Sequence, residues 1–287
     1  MRVEFKMTGP IFEEGIPLHI ATRALSDVQA ILDKSYLVAV NKSRIQEKDR
    51  SDFYIRATRI QHGSLESLLE IVVEHVQVAL PTILPSVDPT LIWTYTKQAY
   101  DLLVRLFTST KAGEEISYEI NGDQATVICG NQTYTYNAPV IQVAKNSVPS
   151  YRNLSELVSE KGVERATLSR HDAPERDVAF DLDKGRKDLF DVPSSIEEEA
   201  IDLRCEIFDY NKYERHGRAN VLAGQDVPEG RYPFVVMGDQ DQSNYIESML
   251  RTEVILRCLR EIKPVPLQET EIVKLHILSI ISDIANR

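Results

Sequence analysis

The sequence predicts an α+β chain in two parts, a sheet-and-helix domain over residues 1–192 and a small closed β-barrel over residues 196–287. Three observations carry this prediction. From Ala200 on, apolar alternation marks three strands, a short helix and two long strands, the order of a small OB-like barrel. Upstream, residues 1 to about 140 read strand, helix, strand, strand, helix, strand, which is the ferredoxin-like order, with extra strands appended. Between the two, residues 169–195 are dense in charge and contain Pro174, Gly185 and Pro193, the composition of a connecting region.

Each element has a local reason. Val3, Phe5 and Met7 alternate with Arg2, Glu4 and Lys6, the period of a half-buried strand that Gly9-Pro10 then breaks. Pro17 suits the start of a helix, and Leu18, Ala21, Leu25, Val28 and Leu32 give that helix one apolar face. The polar residues 41–51 end it. Phe53, Ile55 and Ala57 open a second alternating run, and His62-Gly63-Ser64 turns the chain. Leu65, Ser67, Leu69, Ile71 and Val73 then resume period two, with Glu66, Glu70 and Glu74 toward water. The four-residue spacing of those glutamates also fits a helix; the β-branched cluster Ile71-Val72-Val73 and the preceding glycine favour a strand.

Pro81 and Pro85 mark a loop, and Asp88-Pro89 reads as the cap and first turn of a second helix. Ile92, Tyr95, Ala99, Leu102 and Leu106 form its stripe, widened by Trp93, Tyr100, Leu103 and Phe107. Asn121-Gly122 signals a hairpin between residues 116–120 and 125–129, and 133–136 completes a meander. Residues 138–157 read as helical and 163–168 as a weak strand. In the final domain the strands fall at 201–209, 217–222, 231–237, 253–262 and 271–281, with Asp239 capping a short helix.

Composition narrows the function classes. An apolar fraction of 43% with 27% charged residues is that of a soluble globular protein. A net charge of −11 works against non-specific attraction to nucleic acid or anionic membranes, though a local basic patch survives on such a protein. The charged N-terminal residues do not form a signal peptide, and no apolar run is long enough to span a bilayer, so no membrane partner is expected. Cys129, Cys205 and Cys258 are odd in number and far apart, which points to reduced thiols and a cytoplasmic location.

No catalytic, metal or cofactor residue is assigned. The six histidines are scattered singly, without an HExxH or Cys/His pair. Asp181-Leu182-Asp183-Lys184-Gly185 and Asp239-Gln240-Asp241-Gln242-Ser243 both break the calcium-loop spacing. GxxxxGK[ST], GxGxxG and GxSxG do not occur. His276, alternating with Leu275 and Ile277, reads as a surface or interface residue.

Two clusters qualify as contact surfaces. Arg44, Arg50, Arg56 and Arg59, with Lys42 and Lys48, interleave with Phe53 and Tyr54, the mixture a single-stranded nucleic-acid platform needs for charge neutralisation and stacking. Glu47, Asp49 and Asp52 dilute it, and a solvated loop leading into a strand with a charged outer face explains it better. In the barrel, Tyr210, Tyr213, Arg215 and Arg218 gather at the first hairpin. That domain holds 11 basic and 17 acidic residues, a balance better suited to a protein partner than to a nucleic-acid groove.

Ile16-Pro17-Leu18 at the first helix, Arg59-Ile60-Gln61-His62-Gly63-Ser64-Leu65-Glu66 at the second hairpin and the barrel-like tail after Ile201 resemble a group of bacterial proteins known as a domain-of-unknown-function family. Leu65 stands where those proteins commonly carry an aromatic residue. The resemblance covers most of the chain and implies an α+β domain followed by a small β domain, with no activity attached.

The expectation is therefore a bacterial, cytosolic, non-catalytic interaction or assembly component with a protein partner or a second copy of itself. The aromatic-rich second helix and the edge of the hairpin sheet are the surfaces expected to self-associate. Single-stranded nucleic-acid binding and an enzyme built from dispersed residues are the alternatives.

Overall fold

A computed structural model describes residues 1–61, 64–73, 87–159, 162–267 and 270–281. The chain divides into two compact units, Met1–Val192 and Pro193–Arg287.

In the first unit, strand β1 (Arg2–Thr8) is the centre of a five-stranded antiparallel sheet, because alternation sends Val3, Phe5 and Met7 fully inward. After helix α1 (Leu18–Ala39) and the short helix α2 (Asp49–Asp52) come β2 (Phe53–Gln61) and β3 (Leu65–Val73). The strand reading of residues 65–73 is the one that forms. Leu65, Ser67, Leu69 and Ile71 are buried, while Glu66 meets Lys6 at 2.8 Å on the other face. Gly63 and the loop prolines 81 and 85, like His62, Glu74 and His75, lie outside the described residues.

Helix α1 buries Ile20, Ala24, Val28, Ile31 and Ser35. Ala21 and Leu32 of the expected stripe are buried with them, whereas Leu18, at the helix start, is 79% exposed. Asp88 caps helix α3 (Pro89–Lys111) as expected, its carboxylate accepting the Thr90 N–H at 2.8 Å. The aromatic-rich face of α3 is not a free surface: Trp93, Tyr100 and Phe107 are all buried within this unit.

Strands β4 (Ile116–Asn121), β5 (Gln124–Cys129) and β6 (Gln132–Asn137) form a separate three-stranded meander. Gly122, with φ of 61° at the first central position of the turn, provides the backbone that the first hairpin requires. After helix α4 (Ala138–Ser159), strand β7 (Arg165–Arg170) pairs with β1, and β8 (Asp177–Asp183) follows at the sheet edge. The strand order is thus β2-β3-β1-β7-β8. The strand beside β1 is β7, and not the 116–120 segment that chain order alone places there. The charge-dense stretch after residue 169 likewise contains a sheet strand: Phe180 and Leu182 of β8 are buried, and Phe190 and Val192 follow them inward.

In the second unit, β9 (Ser195–Ile196) adds to a closed barrel of five strands: β10 (Ile201–Asn211), β11 (His216–Val221), β12 (Gly230–Val236), β13 (Val254–Lys263) and β14 (Glu271–Ile281). The ring runs β10-β11-β12-β14-β13 and closes on β10, with β12 and β14 parallel and the other pairs antiparallel. Helix α5 (Ser243–Ser248) lies between β12 and β13 in the chain and sends Tyr245 into the core beside Phe234. Its first turn is held by Asp241, which accepts from Ser243, while Asp239 instead pairs with Arg215. Among the described residues no helix is long and apolar enough to cross a membrane.

Candidate functional site

The basic strip is brought together only in part. Arg50 forms a two-pronged pair with Asp33 at 2.8 and 2.6 Å, and Lys42 meets the buried Asp49 at 2.6 Å. Arg56 donates to the Tyr54 hydroxyl and lies 3.8 Å from Glu70. Phe53 is fully buried, stacked at 4.0 Å on Tyr36, and offers no ring to a base. Arg44 and Lys48, with Lys42, line a polar depression of about 410 Å³, and Arg59 is exposed along β2. Three of the six cations, Lys42, Arg50 and Arg56, are answered by carboxylates of the same unit, which weakens the strip as a phosphate-binding surface.

The barrel cluster separates by role. Tyr210 is partly buried and packs against the core rings Phe234 and Tyr245, with ring centroids at 6.1 and 5.2 Å. Arg215, at a positive φ of 53°, braces the hairpin by donating to the Gly238 carbonyl and the Asp239 carboxylate. Tyr213 is 85% exposed, with Lys212 above its ring. Arg218 lines a depression of about 450 Å³ with Asp209, Glu214, His216, Pro233 and Lys274, a wall of mixed sign. Nearby, Phe208 is partly exposed under the Arg231 guanidinium.

His276 is not an open surface residue. It is 8% exposed, and its Nε2 lies 2.9 Å from Glu261, whose other oxygen accepts from Ser194. Fifteen residues across a hairpin separate the two partners, so no local motif announces the pair. Among the described residues no group of three His, Cys, Asp or Glu could hold a metal ion. All three cysteines are buried, and burial pushes the Cys205 and Cys258 thiols up to about 12, leaving them protonated at neutral pH.

The most unusual surface is the outer edge of the meander. Strand β4 reads Ile-Ser-Tyr-Glu-Ile-Asn, and Ile116, Tyr118 and Ile120 share the face that, on β5, carries Cys129, Val127 and Ala125. The β5 side chains are covered: Ala125 and Val127 are 0% exposed. Those of β4 overhang, with Tyr118 at 48% and Ile120 at 50%. Among the described residues β4 pairs with β5 alone.

Its ladder phase also follows. The Gly130 N–H donates to the Glu115 carbonyl at 2.9 Å, which makes 115 and 130 a hydrogen-bonded pair. Such pairs recur at every second residue, so Ser117, Glu119 and Asn121 bond to β5. The N–H and C=O groups of Ile116, Tyr118 and Ile120 therefore point away from it. Proteins usually blunt such edges with lysine, proline or a bulge. This one has a single charge, Glu119, with neither proline nor register shift.

The sequence signals the strand here without showing that it would be left uncovered. Compared with known proteins, the chain matches no family model, no curated protein and no solved structure.

Proposed function

We propose that this chain is a non-catalytic assembly component of a bacterial cytosolic system, engaging another polypeptide by strand addition at β4. The observation that carries this reading is the β4 edge itself. One row of residues offers both backbone hydrogen-bonding groups and half-exposed apolar side chains, the two contributions a strand-addition interface needs. Buried, protonated thiols support a reducing compartment.

The fold is read more finely as ferredoxin-like in the order β7-β1-β3-β2, with β8 appended and the meander inserted. The ring order of the second unit, with its single parallel pair and a helix after the third barrel strand, supports an OB-like barrel.

Affinity capture from the host, with and without nuclease, tests the function using the wild-type chain and Ile120→Lys. A nuclease-resistant, stoichiometric protein lost with Ile120→Lys supports assembly through this edge. Recovery of short RNA or DNA that dissociates at high salt overturns it.

The second reading, single-stranded nucleic-acid binding on the barrel, is favoured by the Phe208–Arg231 and Tyr213–Lys212 pairs beside Arg218 and Lys274. Asp209 and Glu214 in the same wall oppose it. It requires salt-sensitive binding of short single strands that falls with Arg218→Glu.

A further inference from the structure

The occupant of the β4 edge follows from the pattern of the strand itself. Ile116-Ser117-Tyr118-Glu119-Ile120 is symmetric in its apolar positions about Tyr118. We infer that β4 pairs antiparallel with β4 of a second copy of this chain, on a two-fold axis through Tyr118. This inference rests on the strand-addition reading above and names its partner.

Three features make the pairing self-complementary. In the register centred on Tyr118, Tyr118 faces Tyr118 of the second copy, and Ile116 faces Ile120 in both directions. All three apolar residues of each strand then stay on one sheet face, as an isologous two-fold contact requires. The backbone phase agrees as well. The groups directed away from β5 belong to Ile116, Tyr118 and Ile120, so all three facing pairs are ones that exchange both N–H···O bonds.

The charges also fit this register. Glu119 faces Ser117 of the second copy, which leaves the two Glu119 carboxylates on a diagonal of about 7–8 Å in solvent. A register shifted by one residue would set apolar side chains on opposite faces of the joined sheet.

The magnitude is modest. A single six-residue edge buries less than the roughly 1,200 Å² of a typical stable complex, which places the contact among the weak, transient ones. Glu114, Glu115 and Asp123 lie at the ends of the paired strands. Salt screens their mutual repulsion, so association tightens as ionic strength rises, the opposite of the trend for a basic partner.

Sedimentation velocity of the full chain over micromolar to submillimolar concentrations tests this, alongside two variants. Ile120→Lys sets a charge into the apolar row and weakens association by about tenfold or more. Tyr118→Pro removes an outward N–H without removing a β4–β5 bond. It is compared with the wild type at equal thermal stability.

The register is read by cysteine pairing under oxidised glutathione. Facing Cα atoms in a hydrogen-bonded pair are about 5.5 Å apart, within disulfide reach, whereas the 119 diagonal is too long. Tyr118→Cys gives a covalent dimer and Glu119→Cys does not. The native thiols, being buried, stay out of the reaction.

A salt-strengthened dimer, weakened by the first two variants and trapped only at position 118, supports the inference. A dimer indifferent to both edge variants overturns it and moves assembly to another surface. A monomer at every concentration overturns self-pairing; the wild-type and Ile120→Lys capture comparison then judges the strand-addition reading separately, by whether a different protein depends on this edge.

Discussion

Tyr118 and Val127 face each other across β4 and β5, yet Val127 is fully buried and Tyr118 is 48% exposed. The packing explains the difference. Helices α3 and α4 both meet β5 and α3 also meets β4, but the Tyr118 and Ile120 side chains extend past the part of the sheet they cover. Val127→Ala removes fully packed methyl groups and is expected to cost about 2 kcal/mol. Tyr118→Thr keeps strand propensity and stays within about 0.5 kcal/mol, the range of ordinary surface substitutions. Urea denaturation of both variants, below the concentration at which copies associate, checks the contrast. Equal losses would mean that Tyr118 is core.

A buried polar contact joins two helices of the first unit. The Ser35 and Thr96 hydroxyls lie 2.7 Å apart, and each also reaches a carbonyl one turn back in its own helix, Ile31 and Ile92. Ser35→Ala or Thr96→Val alone leaves the other hydroxyl short of a partner and is expected to cost about 1–2 kcal/mol. The double variant costs less than the sum of the two. Strict additivity in a double-mutant cycle would show that the hydroxyls do not interact.

Gly217 pairs with Tyr210 of β10, just beyond the register change between Ile207 and Asp209. A Cβ there would lie 2.2 Å from the Asp209 carbonyl oxygen and 2.6 Å from the Phe234 ring. Both obstacles are rigid, one backbone and the other a buried aromatic. Gly217→Ala is therefore expected to destabilise the barrel by about 3 kcal/mol or more. Near-UV circular dichroism and thermal melting would show the loss; an unchanged melting profile would contradict this account.

Glu261 gives the barrel a predictable acid response. The Ser194 hydroxyl and then His276 donate to its carboxylate, with Lys274 at 3.7 Å, and together they hold its pKa below the usual glutamate value. A carboxyl with a depressed folded pKa contributes stability above the unfolded value, about 4.3, and loses it as pH falls through the lower folded value. Denaturation midpoints measured from pH 7 to pH 3 should fall less steeply in Glu261→Gln than in the wild type over that acid window. Parallel curves would remove Glu261 from the explanation.

Burial also predicts thiol behaviour. Cys205 and Cys258, pushed up to about 12, should react with a thiol reagent at neutral pH only as the barrel opens. Their labelling rate should therefore rise with urea and track unfolding. Rapid labelling of the folded protein would place a thiol at the surface.

Much of this chain was determined locally. Period-two alternation located β1, β3 and the barrel strands, Asp88-Pro89 located the start of α3, and Asn121-Gly122 located the turn between β4 and β5. Each depends on residues close together in the chain, where turn chemistry and side-chain period act directly. Tertiary structure decided the pairings and the coverage. Placing β7 beside β1 depends on contacts more than 150 residues apart, which no local pattern encodes.

Coverage likewise made Phe53 a core residue and packed Tyr210, partly buried, against the barrel core, although both read as contacts. It enclosed His276 against Glu261 and left Tyr118 and Ile120 about half uncovered, with Ile116 partly so. An apolar row looks the same in sequence whether a helix lies over it or not. Only the packing of α3 and α4, which covers the β5 side chains and leaves Tyr118 and Ile120 about half exposed, made this row an uncovered edge among the described residues.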